Sequence, residues 1–365
     1  MPAQSSFKTY VIVLISLLLL STCNEIPEGR KTISRKKAQP SQKHLEITQP
    51  AIHYKIVPGT EITFDWKWKD VKSTDSVVWY VAKRRIGQVE KKNQVKVPVD
   101  LPVGTQHFIL RSYADGKTSS DQVLVEILSD IEPVKSKVGI VRKLHHDPGA
   151  YTQGLEVHGG FIYESTGQYK ESSMRKIDIE TGKVIDIINL KDDIFGEGLT
   201  ILGNRIYQLT WQSNTGFIYD INSFKQLSEF IYPTEGWGLT NDGESLIMSD
   251  GSHHLYYLDR EYFTETRKLS VYDDNGPVTR LNELEYVDGK ILANILGEDH
   301  LVIIDPATGK ILHDIDMSIL REKGDLNPNS EVLNGIAWDA KTQKLYATGK
   351  YWPTMFEITI KGINR

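Results

Sequence analysis

Gln153-Gly154-Leu155, Glu197-Gly198-Leu199, Trp237-Gly238-Leu239, Asn282-Glu283-Leu284 and Asn334-Gly335-Ile336 are five forms of one step: a polar or aromatic residue, then usually glycine, then an aliphatic residue. The aliphatic members stand 44, 40, 45 and 52 positions apart. That period is the length of one four-stranded propeller blade. A second short strand follows each step, as in Phe161-Ile162-Tyr163, Arg205-Ile206-Tyr207 and Lys344-Leu345-Tyr346-Ala347. A third strand then runs into an acid, as in Lys176-Ile177-Asp178, Phe217-Ile218-Tyr219-Asp220 and Val302-Ile303-Ile304-Asp305. Thr181-Gly182-Lys183 and Thr308-Gly309-Lys310 fill the turn to an outer strand.

The fifth copy ends after its third strand, near Ile360, while Lys137 to Leu144 is a strand with no copy of its own. It is expected to supply the missing outer strand and close the ring, leaving only short, protected edges. The fold class is therefore all-β, a five-bladed β-propeller over residues 138–365. The first strand of each blade lines the central channel, so Gln153, Glu197, Trp237, Asn282 and Asn334 are expected at equivalent positions around one end of it. Singly, each could cap a strand end. Together they make a convergent polar site with an aromatic wall.

The motifs resemble one known family. His146-Asp147-Pro148, Tyr151-Thr152-Gln153-Gly154-Leu155, Phe195-Gly196-Glu197-Gly198-Leu199-Thr200 and Leu209-Thr210-Trp211 are similar to the plant and bacterial type of glutaminyl-peptide cyclotransferase. So are Glu235-Gly236-Trp237-Gly238-Leu239-Thr240, Leu281-Asn282-Glu283-Leu284-Glu285, Leu333-Asn334-Gly335-Ile336-Ala337 and Thr348-Gly349-Lys350. The resemblance spans roughly residues 138 to 360 and touches every blade in order. It implies conversion of an N-terminal glutamine to pyroglutamate with loss of ammonia, without a cofactor or a catalytic metal. It also implies residue roles. Glu197 is the acid/base; Lys350 and Asn282 hold the amide oxygen or the substrate backbone, with Gln153 and Asn334 in the same polar ring. Trp211 and Trp237 pack on the glutaminyl stem. One position departs from the pattern: after Leu292-Ala293-Asn294-Ile295 the family usually has tryptophan, and this chain has Leu296. That bears on substrate affinity more than on the reaction type.

Two other readings compete. Glu197, Asn282 and Asn334 could ligate Ca²⁺ through oxygen in a metal-dependent lactonase or hydrolase, although Trp237 and the cationic Lys350 count against a divalent ion there. A non-catalytic binding propeller is the second, and the missing tryptophan makes it thinkable. A glutamine-initiated peptide that loses the mass of one ammonia, with no water gained, separates the three. The adjacent pairs His145-His146 and His253-His254 point to opposite sides of a strand and are expected to have surface roles. The chain has no nucleophile-elbow serine, phosphate-cradling glycine loop or HExxH zinc signature.

Upstream of the ring, residues 51–131 alternate as Glu61-Ile62-Thr63-Phe64-Asp65-Trp66-Lys67-Trp68 does, the period of a half-buried strand. Several such strands, separated by Pro58-Gly59, Pro102-Val103-Gly104 and Asp115-Gly116, suggest a small immunoglobulin-like β-sandwich acting as a spacer, able to separate from a ring that begins at about Glu132. Residues 23–50 are polar, mainly basic and free of hydrophobic period, and read as a flexible tether. Residues 1–22 read as a signal peptide: Lys8 precedes an apolar run from Tyr10 to Leu20, too short for a membrane span. Leu20-Ser21-Thr22-Cys23 then resembles a bacterial lipobox, with Cys23, the single cysteine, as the lipidated residue. A lipid-anchored monomer in the bacterial cell envelope, periplasmic or surface-facing, is the expectation, with a peptide or protein bearing N-terminal glutamine as partner. A net charge of −5 gives no reason to expect nucleic acid.

Overall fold

The computed structural model describes residues 45–69, 75–88, 93–114 and 117–364. Cys23, the leader and most of the expected tether lie outside the described residues. From Thr152 onward the chain makes five antiparallel sheets in a ring, a β-propeller. Blade one is Thr152–His158, Phe161–Thr166, Ser173–Asp178 and Val184–Asn189; blade two is Gly196–Leu202, Arg205–Thr210, Thr215–Asp220 and Lys225–Ile231. Blade three is Leu239–Asn241, Ser245–Ser249, His254–Asp259 and Glu265–Ser270; blade four is Leu281–Val287, Lys290–Ile295, His300–Ile304 and Ile311–Asp316. The first strands touch one another around the axis. Second strands such as Phe161–Thr166 are buried on both faces between neighbouring blades, whereas the outer Lys225–Ile231 is almost wholly exposed. This gradient explains the near-continuous apolar runs in the middle of each repeat.

Blade five is Leu333–Asp339, Lys344–Gly349 and Thr354–Thr359, closed by Gly139–His145 running antiparallel to the last of these. Arg142 fixes this seam, its Nε 2.6 Å from a carboxylate oxygen of Glu357 and its other nitrogens on Glu180. From sequence the closing strand is expected over Lys137 to Leu144; in the fold it is Gly139–His145. Val134–Lys137 is a separate strand, parallel to Ile311–Asp316, and adds a fifth strand to blade four.

The repeat has direct physical causes. A Cβ on Gly154 would lie 2.5 Å from the backbone nitrogen of Leu199, and one on Gly238 would lie 1.9 Å from the carbonyl oxygen of Asn282. Inner strands approach so closely that only glycine fits between them. The acid that ends most third strands caps the following turn: Asp178 accepts bonds from the N–H and hydroxyl of Thr181 at 2.9 and 2.7 Å, and Asp220 does the same for Ser223.

Where the glycine is replaced, at Glu283, the side chain spans the channel instead. Its two oxygens accept the backbone N–H of Leu155 (3.3 Å) and of Ile336 (2.9 Å), tying blades one, four and five together. Glu285 accepts the N–H of Trp338 at 2.8 Å, and Glu156 accepts the hydroxyl of Thr200 at 3.0 Å. Burial pushes Glu283 and Glu285 well above the carboxylate range; Glu156, enclosed by protein but keeping some solvent contact, is pushed up to about 7. Raised folded values stabilise the protein at low pH and lose that contribution as pH rises through them. For Glu156 the window runs from its unfolded value, about 4.3, to about 7, on the order of 1–3 kcal/mol. The thermal midpoint should therefore fall from about pH 5 to about pH 8, and Glu156→Gln should flatten the early part of that fall. Parallel curves for the two proteins would exclude Glu156 as the titrating group.

The N-terminal β domain has one five-stranded sheet, in the order Tyr54–Ile56, Lys117–Ile127, Gly104–Ala114, Ser76–Val81, Arg84–Gln88, and two strand pairs, Leu45–Gln49 with Asp65–Trp68 and Glu61–Thr63 with Gln94–Lys96. One core joins all three, centred on Phe64 stacked 3.7 Å from Trp79. Leu45 is fully buried in that core, so the domain begins earlier than residue 51 and the tether cannot extend to residue 50. Polar composition hid this strand, whose Leu45-Glu46-Ile47 alternation is only three residues long. The domain is also docked on the ring. The Nζ of Lys310, 4% exposed, donates to Asp130 (2.5 Å) and to the carbonyl of Val99 (3.1 Å), and the N–H of Val103 bonds to the carbonyl of Thr308 at 2.8 Å. Tyr272 adds a bond to Glu126 at 3.2 Å.

Candidate active site

Around the channel mouth, the inner strands of blades two, four and five each carry a bulge at the repeat step, between Gly196 and Leu199, Leu281 and Leu284, and Leu333 and Ile336. Blade one has one between Thr152 and Gly154. A bulge frees a residue from the ladder and re-aims its side chain. In blade three the strand starts only at Leu239, and Trp237 is held before it by an N–H bond to the carbonyl of Ser249 at 3.0 Å. The result is a cavity of ≈ 230 Å³ lined by Gln153, Glu197, Trp211, Trp237, Asn282, Leu296 and Lys350, with Tyr151, Gln168 and Phe195.

Glu197, 5% exposed, is part of its lining, with one carboxylate oxygen accepting a bond from the Nε2 of Gln153 at 3.0 Å. Burial pushes its carboxyl well above the ordinary range; the Lys350 ammonium pulls it back and Glu235 raises it further. Burial pushes the Lys350 amine down, opposed by Glu197 and Glu331. Lys350 projects over the ring of Tyr151, with Nζ 4.6 Å from the centroid. Burial thus favours the neutral form of each group, and the attraction between them favours the charged forms. Asn282 lines the cavity, and its Oδ1 is buried with no hydrogen-bond partner among the described residues. Trp211 packs edge-on to Phe195, ring centres 5.6 Å apart.

Seven of the eight residues expected at the site line this cavity. Asn334 does not: fully buried, its Nδ2 donates to the carbonyl of Thr152 (3.0 Å) and to the Oε1 of Gln153 (3.4 Å), so it supports Gln153 from behind. Leu296 lies just beyond the strand Lys290–Ile295, in the turn that follows, and not within that strand. Gly297, with φ of 82°, makes that turn. Sequence reasoning also missed Tyr151, Gln168 and Phe195, which sit in connections between strands, where no period marks them. His146 is not a surface residue. It is 2% exposed, with Nε2 2.9 Å from Glu164 and Nδ1 2.6 Å from the carbonyl oxygen of Trp352, and it joins blade five to blade one beneath Tyr151. Burial opposes the imidazolium, but Glu164 holds His146 above its ordinary value.

Among the described residues no group of three His, Cys, Asp or Glu side chains is arranged to hold a metal ion. The cavity holds a buried carboxyl, an amine and two indoles in its lining.

Comparison with known proteins bears on the family. Residues 114–360 match the family model described as glutamine cyclotransferase. The chain is 37% identical over 276 residues to a glutaminyl-peptide cyclotransferase of Arabidopsis thaliana, covering 74% of this chain and 84% of that protein. It is similar in structure to the glutaminyl cyclase of Myxococcus xanthus, with a TM-score of 0.59 and 35% identity, over 62% of this chain and 98% of that one. Sequence, ring and pocket thus lead to one statement: the chain belongs to the glutamine cyclotransferase family.

Proposed function

We propose a division of labour for the glutaminyl-peptide cyclotransferase reaction among the residues of this pocket. The enzyme acts on an N-terminal glutamine, whose α-amine attacks its own side-chain amide carbon. The amine must be neutral, and an N-terminal amine with its usual value near 7.7–8.0 partly is so at neutral pH. A new C–N bond forms, the carbonyl oxygen becomes an oxyanion, and the attacking nitrogen carries an extra proton. Glu197 as carboxylate takes that proton and returns it to the departing nitrogen, the amide C–N bond breaks, and ammonia leaves with pyroglutamate behind. The Lys350 ammonium faces the developing oxyanion in a water-poor site, where a preset cation is most effective. The free Oδ1 of Asn282 accepts an N–H of the substrate, Gln153 holds Glu197 in place, and Trp211 and Trp237 pack on the methylene stem. The observation that carries this reading is the buried Glu197 in the lining of the cavity, within the electrostatic reach of Lys350 in the same lining. Ammonia release from short glutamine-initiated peptides, measured with and without a chelator, tests it. Equal rates in both are expected; loss of activity on chelation, restored by metal, would place the chemistry on an ion.

Leu296 lines the cavity where relatives usually have an indole. Leu296→Trp should add a packing surface of about 0.5–1.5 kcal/mol, a several-fold rise in kcat/KM for small glutamine substrates, at an unchanged thermal midpoint. A lowered midpoint with lowered activity would mean that the space is already filled.

The proposal extends to location. Cys23 carries a lipid that anchors the enzyme in a bacterial cell envelope, with the β domain, read as immunoglobulin-like, as spacer, and it acts there as a monomer on peptide or protein N-termini. Supporting this is the apolar run before Leu20-Ser21-Thr22-Cys23. Cys23→Ser should move the protein from the membrane to the soluble fraction; identical fractionation of both forms contradicts the anchor.

A further inference from the structure

We propose that Glu235 is a positioning residue: its single carboxylate clamps the two tryptophan walls of the pocket to each other and sets their spacing. The inference rests on the reading of the pocket given above. Both indole N–H groups donate to the same oxygen of Glu235, Trp211 at 2.8 Å and Trp237 at 3.1 Å, and Gln212 donates to the other oxygen at 3.1 Å. Trp211 follows the second strand of blade two and Trp237 precedes blade three, so no ladder bond relates the two rings. The backbone supports the clamp: Gly236 N–H bonds to the carbonyl of Trp211 at 3.1 Å, and Asn214 bonds to the carbonyl of Thr234. Each indole is backed by a surface that stops it tilting away. Trp237 lies over Gly251, where a Cβ would come within 2.6 Å of the ring, and Trp211 rests against Phe195.

The carboxylate is ionised in this setting. Burial works against it and Asp250 repels it, but bonds from Trp237, Gln212 and Trp211 hold its carboxyl below the usual range. Its charge then reaches the reacting group, since Glu235 and Lys350 are the charges that act on Glu197, in opposite senses. One side chain therefore governs both the shape of the glutaminyl slot and the proton affinity of the acid/base.

The test uses the full chain. Glu235→Ala should raise KM for glutamine-initiated peptides about tenfold, the factor for one charge-assisted hydrogen bond, with a smaller change in kcat. Glu235→Gln keeps an acceptor oxygen and loses the charge, so its KM should rise less. In both variants the limb of the pH–rate profile that reports Glu197 should move to lower pH, because a negative neighbour has gone. A purely structural role would not move that limb. Independently of activity, nitrogen NMR of the indole N–H groups, assigned with Trp211→Phe and Trp237→Phe, should show both resonances displaced in Glu235→Ala. Unchanged KM and unchanged resonances overturn the clamp. Raised KM with unmoved resonances also overturns it, because Glu235 would then contact the peptide directly. If the unmodified enzyme releases no ammonia, the proposed reaction fails, and the resonances alone decide the clamp.

Discussion

Glu197→Gln should abolish turnover of glutamine-initiated peptides while leaving the ring folded. The substitution keeps the volume and leaves an amide in place of the proton acceptor, so a loss on the order of 10²–10⁴-fold in kcat is expected. Substrate should still bind, because Asn282 and the tryptophan walls are untouched. The same carboxyl gives the wild-type profile its shape. Burial holds Glu197 above the carboxylate range, so the active carboxylate is lost as pH falls through that raised value. The low-pH limb should therefore lie well above that of an exposed glutamate, and it should vanish in the residual activity of Glu197→Gln. If kcat in the variant stays within a few-fold of wild type, the acid/base role belongs elsewhere.

Removing the closing strand should be equally severe for the fold. A chain beginning at Asp147 lacks Gly139–His145, leaving Thr354–Thr359 as an unpaired edge and Glu357 without Arg142. It also loses His146, which joins blade five to blade one. No cooperative melting transition is expected from it. A chain beginning at Glu132 retains the closing strand and was expected from sequence to fold as an independent unit. The docked β domain changes that expectation. Without the domain, the Lys310 ammonium loses Val99 and Asp130 and returns to solvent, and the interface bonds of Val103 and Tyr272 are lost with it. The shorter ring should melt below the full chain, and Lys310→Met in the full chain, which removes the ion pair with Asp130, should lower the midpoint by part of that difference. Equal midpoints for the full chain and the Glu132 chain would show that the interface contributes nothing.

The ring was legible because one step recurs in all five blades, with glycine at its middle in four of them. Wherever two inner strands approach within contact of a glycine Cα, the same step must appear, and the eye needs only the period. The polar residue ahead of that glycine was legible for the same reason, since the bulge that aims Glu197, Asn282 or Asn334 sits at a fixed place in the repeat. What a period cannot show is depth. Gln153 and Asn334 occupy equivalent positions, yet one faces the cavity and the other stands behind it. Groups outside the repeat were harder still. Glu235 holds one indole two residues away and another 24 residues away, and His146 reads as half of an exposed pair until Glu164 and Trp352 are folded against it. Lys310, in a turn of the Thr-Gly-Lys kind that is solvated at Lys183, is buried only because another domain covers it.

The central claim is that this pocket joins the α-amine of an N-terminal glutamine to its own side-chain carbonyl. It is tested most directly with a peptide whose first glutamine carries heavy nitrogen only in the side-chain amide. The account predicts that the full-length enzyme releases ammonia bearing the label, and that the peptide loses the mass of one labelled ammonia and no longer has a free amine. A peptide recovered with its label and free amine intact would contradict it. So would label release with gain of water to leave glutamate, which would make the site a hydrolase.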